Sequence, residues 1–150
     1  MTQARGSVDI TKNLFLAFVI ENERYAVEVS SIKEIIGVVP ITIVPQTEDY
    51  IKGIINLRGD IIPVINMRSR FMKEVIEYDD QTCIVVVLYQ EHILGLIVDS
   101  IIGVYTLEEE MVASPPSAKL SYANQFVKNI GRSKEDGILL LLDLEKVLFT

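Results

Sequence analysis

Apolar and polar positions along this chain follow the two-residue beat of strands far more than the 3.6-residue beat of helices. LFLAFVI (Leu14 to Ile20) is a short continuous apolar run of the kind a strand buried on both faces shows. After ENE, the segment RYAVEV alternates Tyr25, Val27 and Val29 with Arg24, Ala26 and Glu28, so the two runs together predict a β-hairpin. Ser31-x-x-Glu34 has the spacing of a capping box, with the Ser31 hydroxyl accepting from the Glu34 amide and the Glu34 carboxylate reaching back. A helix of one or two turns is expected there, with Ile32, Ile35 and Ile36 on its apolar face. Gly37 and Pro40 then return the chain to extended structure in VVPITIVP, where Pro40 and Pro45 suit strand ends or edges.

KGIINLRGDIIPVIN holds two more apolar β segments, Gly53 to Leu57 and Asp60 to Asn66, which meet at Arg58-Gly59 and predict a second hairpin. MRSRF breaks the alternation, placing Arg68 and Arg70 close to Arg58 in sequence, and the acidic connector EVIEYDDQ reads as the internal boundary. Beyond it, CIVVVLYQEHILGLIVDSIIGVYTLEE repeats the opening plan. Aligning Ser31-Ile32 with Ser100-Ile101 sets Val29 on Val98, Val27 on Leu96, Tyr25 on Leu94 and Phe18 on Val87, and makes the tips ENER and QEHI coincide. DIIPVIN matches GILLLLD in the same partial way. The pattern implies two similar β subdomains of roughly sixty to seventy residues, with chance similarity among Ile/Val-rich strands as the alternative. EEEMVASPPSAKLSYANQF reads as a long connection. DLEKVLF closes the chain as a short amphipathic helix, Asp143 at its N-cap and Leu144, Val147 and Leu148 toward the core. Residues 1–12 are polar without periodicity and are expected to be a flexible arm.

Composition strengthens the β reading: Ile (21) and Val (17) together supply 38 of 150 residues, and β-branched side chains favour pleated surfaces. With 49% apolar residues the chain can bury a core, and one domain is the expectation at this length. No apolar run reaches the roughly 18 residues that span a bilayer, and MTQARGSVDI lacks the apolar stretch of a signal peptide, so a cytoplasmic protein without membrane insertion is expected. The single cysteine, Cys83, allows no internal disulfide and reads as buried filler. A net charge of -7 opposes binding to a phosphate backbone, which excludes nucleic acid as a partner.

Chemistry is sparse. His92, the one histidine, lies at a predicted hairpin tip, and no serine or cysteine sits in a nucleophile motif such as GxSxG. Carboxylates cluster at Glu48-Asp49, Asp79-Asp80 and Glu108-Glu109-Glu110, all in polar connectors. Nucleotide, zinc and calcium motifs are missing, so no catalytic residue, cofactor or metal ligand is assigned. What stands out is Lys52 to Gly59, where lysine, asparagine and arginine interrupt an apolar hairpin. Arg58 and Gly59 are either a plain turn, glycine supplying the positive φ, or a tip that presents a planar five-donor guanidinium beside exposed apolar residues, the composition of a binding hot spot. Two other classes stay open: a small-molecule-binding barrel or weak enzyme using Glu108 to Glu110, and a homo-oligomer formed through apolar edges.

GIINLRGDIIPVINMRSRF, preceded by VPQTEDYIK, resembles the signature of the CheW family of bacterial chemotaxis coupling proteins. FVIENERYAVEVSSIKEIIG, QEHILGLIVDSIIGV and DGILLLLDLEKVL are similar to further parts of the family, so the resemblance spans about Leu14 to Phe149. It implies an all-β fold with minor α content, two SH3-like five-stranded barrels around a shared core and a short C-terminal helix. On that plan the coupling domain runs over 13–150, with subdomain one at roughly 14–80, subdomain two at roughly 81–143 and the helix at 143–149. The resemblance further implies a non-enzymatic adaptor that bridges the cytoplasmic tip of methyl-accepting chemoreceptors to the regulatory domain of the histidine kinase CheA, held at the membrane-bound array through these partners. By position, Arg58, Asn56 and Gly59 match the NLRG motif implicated in coupling, and Gly53 lies on the strand feeding it. Ile32, before Glu34, falls on the receptor-facing surface, while kinase contacts are expected among Val38 through Ile43, notably Val38, Val39, Ile41 and Ile43. At 150 residues there is no room for a receiver, phosphotransfer or ATPase domain, so a free-standing coupling protein is expected.

Overall fold

The structure, a computed structural model, describes residues 12–45, 47–115, 122–134 and 137–149. The arm expected over 1–12 lies outside them except for Lys12, and so does part of the long connection, residues 116–121.

The first hairpin forms as expected from β1 (Leu14–Ile20) and β2 (Glu23–Glu28), closed by Glu21 and Asn22 at positive φ. A single 3₁₀ turn, Val29–Ser31, follows, and the expected helix at Ile32 is instead a strand, β3 (Ile32–Gly37). The capping-box spacing is overridden because Ile32, Ile35 and Ile36 gain a full antiparallel ladder with β6 (Cys83–Tyr89), from Ile32 opposite Val87 to Gly37 opposite Cys83. The second hairpin pairs β4 (Ile51–Leu57) with β5 (Asp60–Asn66), and α1 (Met67–Arg70) follows with Asn66 as its N-cap, accepting from the Arg68 and Ser69 amides. Then come β7 (His92–Val98), β8 (Ser100–Thr106), the two-residue β9 (Val112–Ala113), β10 (Val127–Ser133), β11 (Gly137–Leu142) and α2 (Leu144–Phe149). Asp143 caps α2 as expected, accepting from the Lys146 amide at 3.3 Å. Cys83 is half-buried rather than buried.

Two sheets result, ordered β3-β6-β7-β5-β4 and β9-β10-β11-β2-β1-β8. Each closes on itself. In the first, the chain leaving β3 crosses to the far edge, where Thr42 and Ile54 exchange two backbone hydrogen bonds of 2.9 Å. In the second, the chain leaving β8 reaches the far edge as β9, paired with β10. The sheets do not divide at residue 80. Hairpin β1–β2 belongs to the second barrel and hairpin β6–β7 to the first, because β3 pairs with β6 and β8 with β1. The turn at Val29–Ser31 and the junction at Asp99 therefore carry the chain from one barrel to the other.

The repeat seen in the sequence holds at the level of register. Phe18 opposes Ile101 just as Val87 opposes Ile32, and the register shifts in the same place in both ladders. Leu141 opposes Ala26 in a parallel pair, as Val64 opposes Gly95. The shift between Ile51 and Gly53 has its counterpart between Val127 and Asn129. Chance similarity of apolar strands does not reproduce matching irregularities, so the alternative reading falls. Residues of the first barrel correspond to residues 69 earlier in β1–β2, or 76 to 77 later in β10–α2.

Strands β1 and β6 are buried on both faces, which explains their unbroken apolar runs. Leu16, Phe18 and Ile20 join Val85 and Val87 in a shared core between the barrels, with Tyr25, Val27, Leu96, Val98, Phe71, Phe126 and the apolar face of α2. Ile84 and Val86 turn into the first barrel with Ile55, Ile62, Val64 and Ile97. Ala17 and Ala26 turn into the second barrel with Leu107, Leu139 and Leu141.

Candidate functional site

The site is built on the tip where β4 turns into β5. Arg58 (φ 51°) and Gly59 (φ 92°) are the two central residues of a tight turn between the paired Leu57 and Asp60. Two successive positive φ angles match the right-handed twist of the strands, and glycine at the second relieves the strain of holding the arginine at the first. Asn56 locks the turn: its Oδ1 accepts from the Gly59 amide at 2.8 Å. The Asn-x-Arg-Gly spacing is therefore first a folding device, and its product is a guanidinium held clear of the sheet.

Arg58 does not point idly into water. Its Nη2 donates to both carboxylate oxygens of Glu34, on β3, while two-thirds of its side chain stays exposed and Glu34 keeps a quarter. β3 and β4 are opposite edges of the same sheet, so this pair spans the closing seam of the first barrel. Below it on β4, Gly53 makes the seam possible: a Cβ there would stand 2.2 Å from the Thr42 carbonyl oxygen. Arg58, Asn56, Gly59, Gly53 and Glu34, singled out separately in the sequence, are thus gathered on one seam.

The remaining expected residues divide. Ile43 is 74% exposed at the seam's outer end. Val38, Val39 and Ile41 are half-buried and pack toward the interior of the first barrel, and Ile32 packs against the shared core. Sequence reasoning passed over two side chains: Ile61, 61% exposed and directly opposite Asn56, and Ile35, 42% exposed on β3 beside Glu34. An outward-facing isoleucine in an alternating strand was the available signal. A charged guanidinium and the exposed Ile61, carried on one hairpin, form a surface suited to a protein partner rather than to a reaction.

The other arginines near Arg58 in sequence serve elsewhere. Arg68 grips Asp99 with bonds of 2.9, 3.1 and 2.6 Å and donates to the Glu74 carbonyl, while the Asp99 carboxylate also accepts from the Glu21 amide at 2.9 Å. Burial pushes the Asp99 carboxyl up, but the Arg68 and Glu21 hydrogen bonds and the Arg68 charge outweigh it and hold it below its ordinary value. The hydrogen bond to Asp99 raises Arg68 in turn, against the opposing effect of burial. Lys73 completes the group against Glu21 at 3.1 Å and Glu23 at 3.6 Å, tying the segment after α1 to the β1–β2 tip. Arg70 is buried, donating from Nε to the Val147 carbonyl (2.7 Å) and from Nη2 to the Lys146 carbonyl (2.9 Å), its guanidinium 4.1 Å from the Tyr50 ring centroid and 4.6 Å from that of Phe126.

No catalytic arrangement gathers around the remaining candidates. His92 is exposed with its ring edge-on to Phe149 at 5.1 Å, and Glu109 and Glu110 lie exposed on a 3₁₀ turn. Among the described residues no group of three His, Cys, Asp or Glu converges in a way that would hold a metal ion, and no helix is long and apolar enough to cross a membrane.

Residues 14–149 match the CheW-like domain family. The chemotaxis protein CheW of Klebsiella aerogenes is 33% identical over 134 residues, 89% of this chain and 80% of that protein. The chemotaxis protein CheW of Bacillus subtilis is 32% identical over 138 residues, covering 92% and 88%. In three dimensions the chain is similar to the crystal structure of the scaffolding protein TtCheW from Thermoanaerobacter tengcongensis, with a TM-score of 0.84 and 29% identity over 92% of this chain and 93% of that one.

Proposed function

The chain belongs to the CheW-like family, a chemotaxis scaffold that works by binding rather than by catalysis, and from that premise we propose that it bridges the cytoplasmic tip of methyl-accepting chemoreceptors to the regulatory domain of the histidine kinase CheA. It does so in the cytoplasm, held at the membrane array through those partners. The observation that carries the reading is the Arg58–Glu34 pair across the closing seam, which holds an exposed guanidinium at the tip of the hairpin that also bears the exposed Ile61. A side chain biased toward one geometry before binding loses less conformational entropy when a partner takes it up.

Coupling further requires that the contacts differ in strength between the active and inactive arrangements of the kinase. Differences of about 1 to 3 kcal/mol suffice for control of this kind. Arg58 is the group placed to supply part of it, with Asn56 and Gly59 holding its geometry. Ile43 and the exposed isoleucines supply apolar contact, while Val38, Val39 and Ile41 act from beneath by shaping the strand that presents them. Ile32, Glu34 and Ile35 lie on β3, whose edge away from β6 faces the closing seam.

Calorimetric titration of the purified protein against a receptor-tip fragment and a kinase regulatory domain tests this, with Arg58→Ala alongside. Wild type binds both, and the variant loses about 2 kcal/mol, roughly thirtyfold in affinity, for at least one of them. Failure of the folded wild type to bind either fragment, or equal binding by the variant, overturns the proposal.

A further inference from the structure

The helices that follow the parallel-paired strands β5 and β11 are counterparts in the repeat, and each reaches across to the other barrel. Asn66 caps α1 and Asp143 caps α2, and the amides of the two caps donate to equivalent carbonyls, Asn66 to Tyr50 at 2.9 Å and Asp143 to Phe126 at 2.8 Å. α1 leaves the first barrel and fastens on the β1–β2 tip of the second, with Arg68 and Lys73 against Glu21 and Lys73 also against Glu23. α2 leaves the second barrel and fastens on the β6–β7 tip of the first. There the Tyr89 hydroxyl donates to Glu145 at 3.1 Å, and the Phe149 ring lies 5.9 Å from that of Tyr89 and 5.1 Å from that of His92. One fastening is ionic and the other aromatic, although Arg68 and Glu145 hold the same place in the repeat. Met72, the counterpart of Phe149, is turned to solvent.

Arg70 joins the two helices. Its counterpart in the repeat is Val147, and it is the Val147 carbonyl that its Nε reaches, while its Nη2 donates to the Lys146 carbonyl. A residue that touches its own counterpart sits where a two-fold relation brings the halves together. Valine has no side-chain donor, so the bond runs once, from α1 to α2, and is not returned. The guanidinium packs on the rings of both Tyr50 and Phe126, which are equivalent residues of the two barrels, and the neighbouring Phe71 stacks on Phe126 at 5.4 Å. Withdrawing α1 takes a buried donor from the last carbonyls of α2, and withdrawing α2 leaves the Arg70 charge without those acceptors.

We infer that α1 and α2 open and close as one clamp, pinned by Arg70, rather than as two independent latches. When the clamp opens, both hairpin tips are released together while the ladders of the barrels stay paired, and the end of the shared core at Phe71, Val147 and Leu148 is uncovered. The coupling is reciprocal, so a disturbance of either arm reaches the other. Charge at the β1–β2 tip thereby controls a helix that packs on the opposite barrel.

Native-state hydrogen exchange reads such a unit directly. The amide of Phe71, bonded to the Met67 carbonyl, reports α1, and that of Val147, bonded to the Asp143 carbonyl, reports α2. Glu21→Lys sets a like charge beside Lys73 and leaves the backbone amide on Asp99, and Phe149→Ala takes the ring away from Tyr89 and His92. Each substitution should speed exchange at both amides by the same factor, about fivefold, while amides in the β4–β5 and β10–β11 ladders keep their wild-type rates. A substitution that moves only the helix on its own side overturns the inference. So does acceleration shared by the ladders, which would mean that the whole molecule unfolds instead. Arg70→Met then separates the arms: in that background Glu21→Lys moves Phe71 alone and Phe149→Ala moves Val147 alone, and shifts that stay shared remove Arg70 as the pin. The first comparison needs no substitution at Arg70 and decides the matter even where Arg70→Met fails to fold.

Discussion

Arg58 and Arg70 are twelve residues apart in sequence, yet burial gives them opposite roles. Arg58 is mostly exposed, so its pair with Glu34 is largely offset by solvation and Arg58→Ala should lower stability by no more than about 1 kcal/mol. Arg70 is 4% exposed and satisfies two carbonyls at the end of α2. Arg70→Met leaves those acceptors buried without that donor and should cost about 3 kcal/mol. Urea unfolding of the two variants in parallel reads the contrast, and similar losses would show that exposure is not what separates them. Tyr25 gives the reverse case. Its ring packs at a tilt against Phe71 with centroids 5.0 Å apart, but its buried hydroxyl has no hydrogen-bond partner among the described residues, and burial raises its pKa. The repeat places Leu94 at the equivalent position, so Tyr25→Phe should be neutral or stabilising by about 1 kcal/mol, checked by the same unfolding curves. Of these roles, only the exposure of Arg58 was legible in the sequence. NLRG spells out a turn and its cap locally, whereas the partner of Arg70 lies 77 residues away.

Elements whose pattern is complete within a few residues were readable: both hairpins of the first half, the C-terminal helix and its Asp143 cap. The stretch after Ser31 was not, because a capping box is a local signal and β3 exists through its ladder with β6, fifty residues on. Gly53 belongs to this scale as well. Its environment, the Thr42 carbonyl oxygen 2.2 Å from a hypothetical Cβ, comes from a strand-to-edge closure that no spacing announces. Gly53→Ala should push the Thr42–Ile54 bridge apart, lowering stability by about 2 kcal/mol or more and speeding hydrogen exchange at the Thr42 and Ile54 amides while β1 and β2 stay protected. Uniform acceleration across both barrels would mean instead that the closure is not a separate unit.

For the molecule as a whole, the duplication could be read from Ser31-Ile32 over Ser100-Ile101, but the boundary at residue 80 could not hold. Hydrophobic alternation states which face of a strand is buried and is silent about which neighbour lies beside it, so the exchange of β3 and β8 between barrels left no mark on the pattern. The charge group around Asp99 sits at one of the two crossings. Because its carboxyl is lower in the folded state than in the unfolded one, its contribution is complete above the unfolded carboxylate value, about pH 4, and is lost as pH falls through the folded value. Unfolding midpoints followed from pH 7 down to pH 3 should drop more steeply for wild type than for Asp99→Asn, and parallel curves would remove Asp99 from the acid transition. The double crossing has a mechanical meaning too. Two lobes joined by one linker form a hinge, which absorbs a push at one end before it reaches the other. Here the chain crosses between the lobes twice, at Val29–Ser31 and at Asp99, and each lobe is completed by a strand that the other lobe's hairpin feeds, so they cannot swing about a single joint. A strut of this kind passes on a displacement that a hinge would absorb, which is what the proposed bridge between receptor and kinase requires.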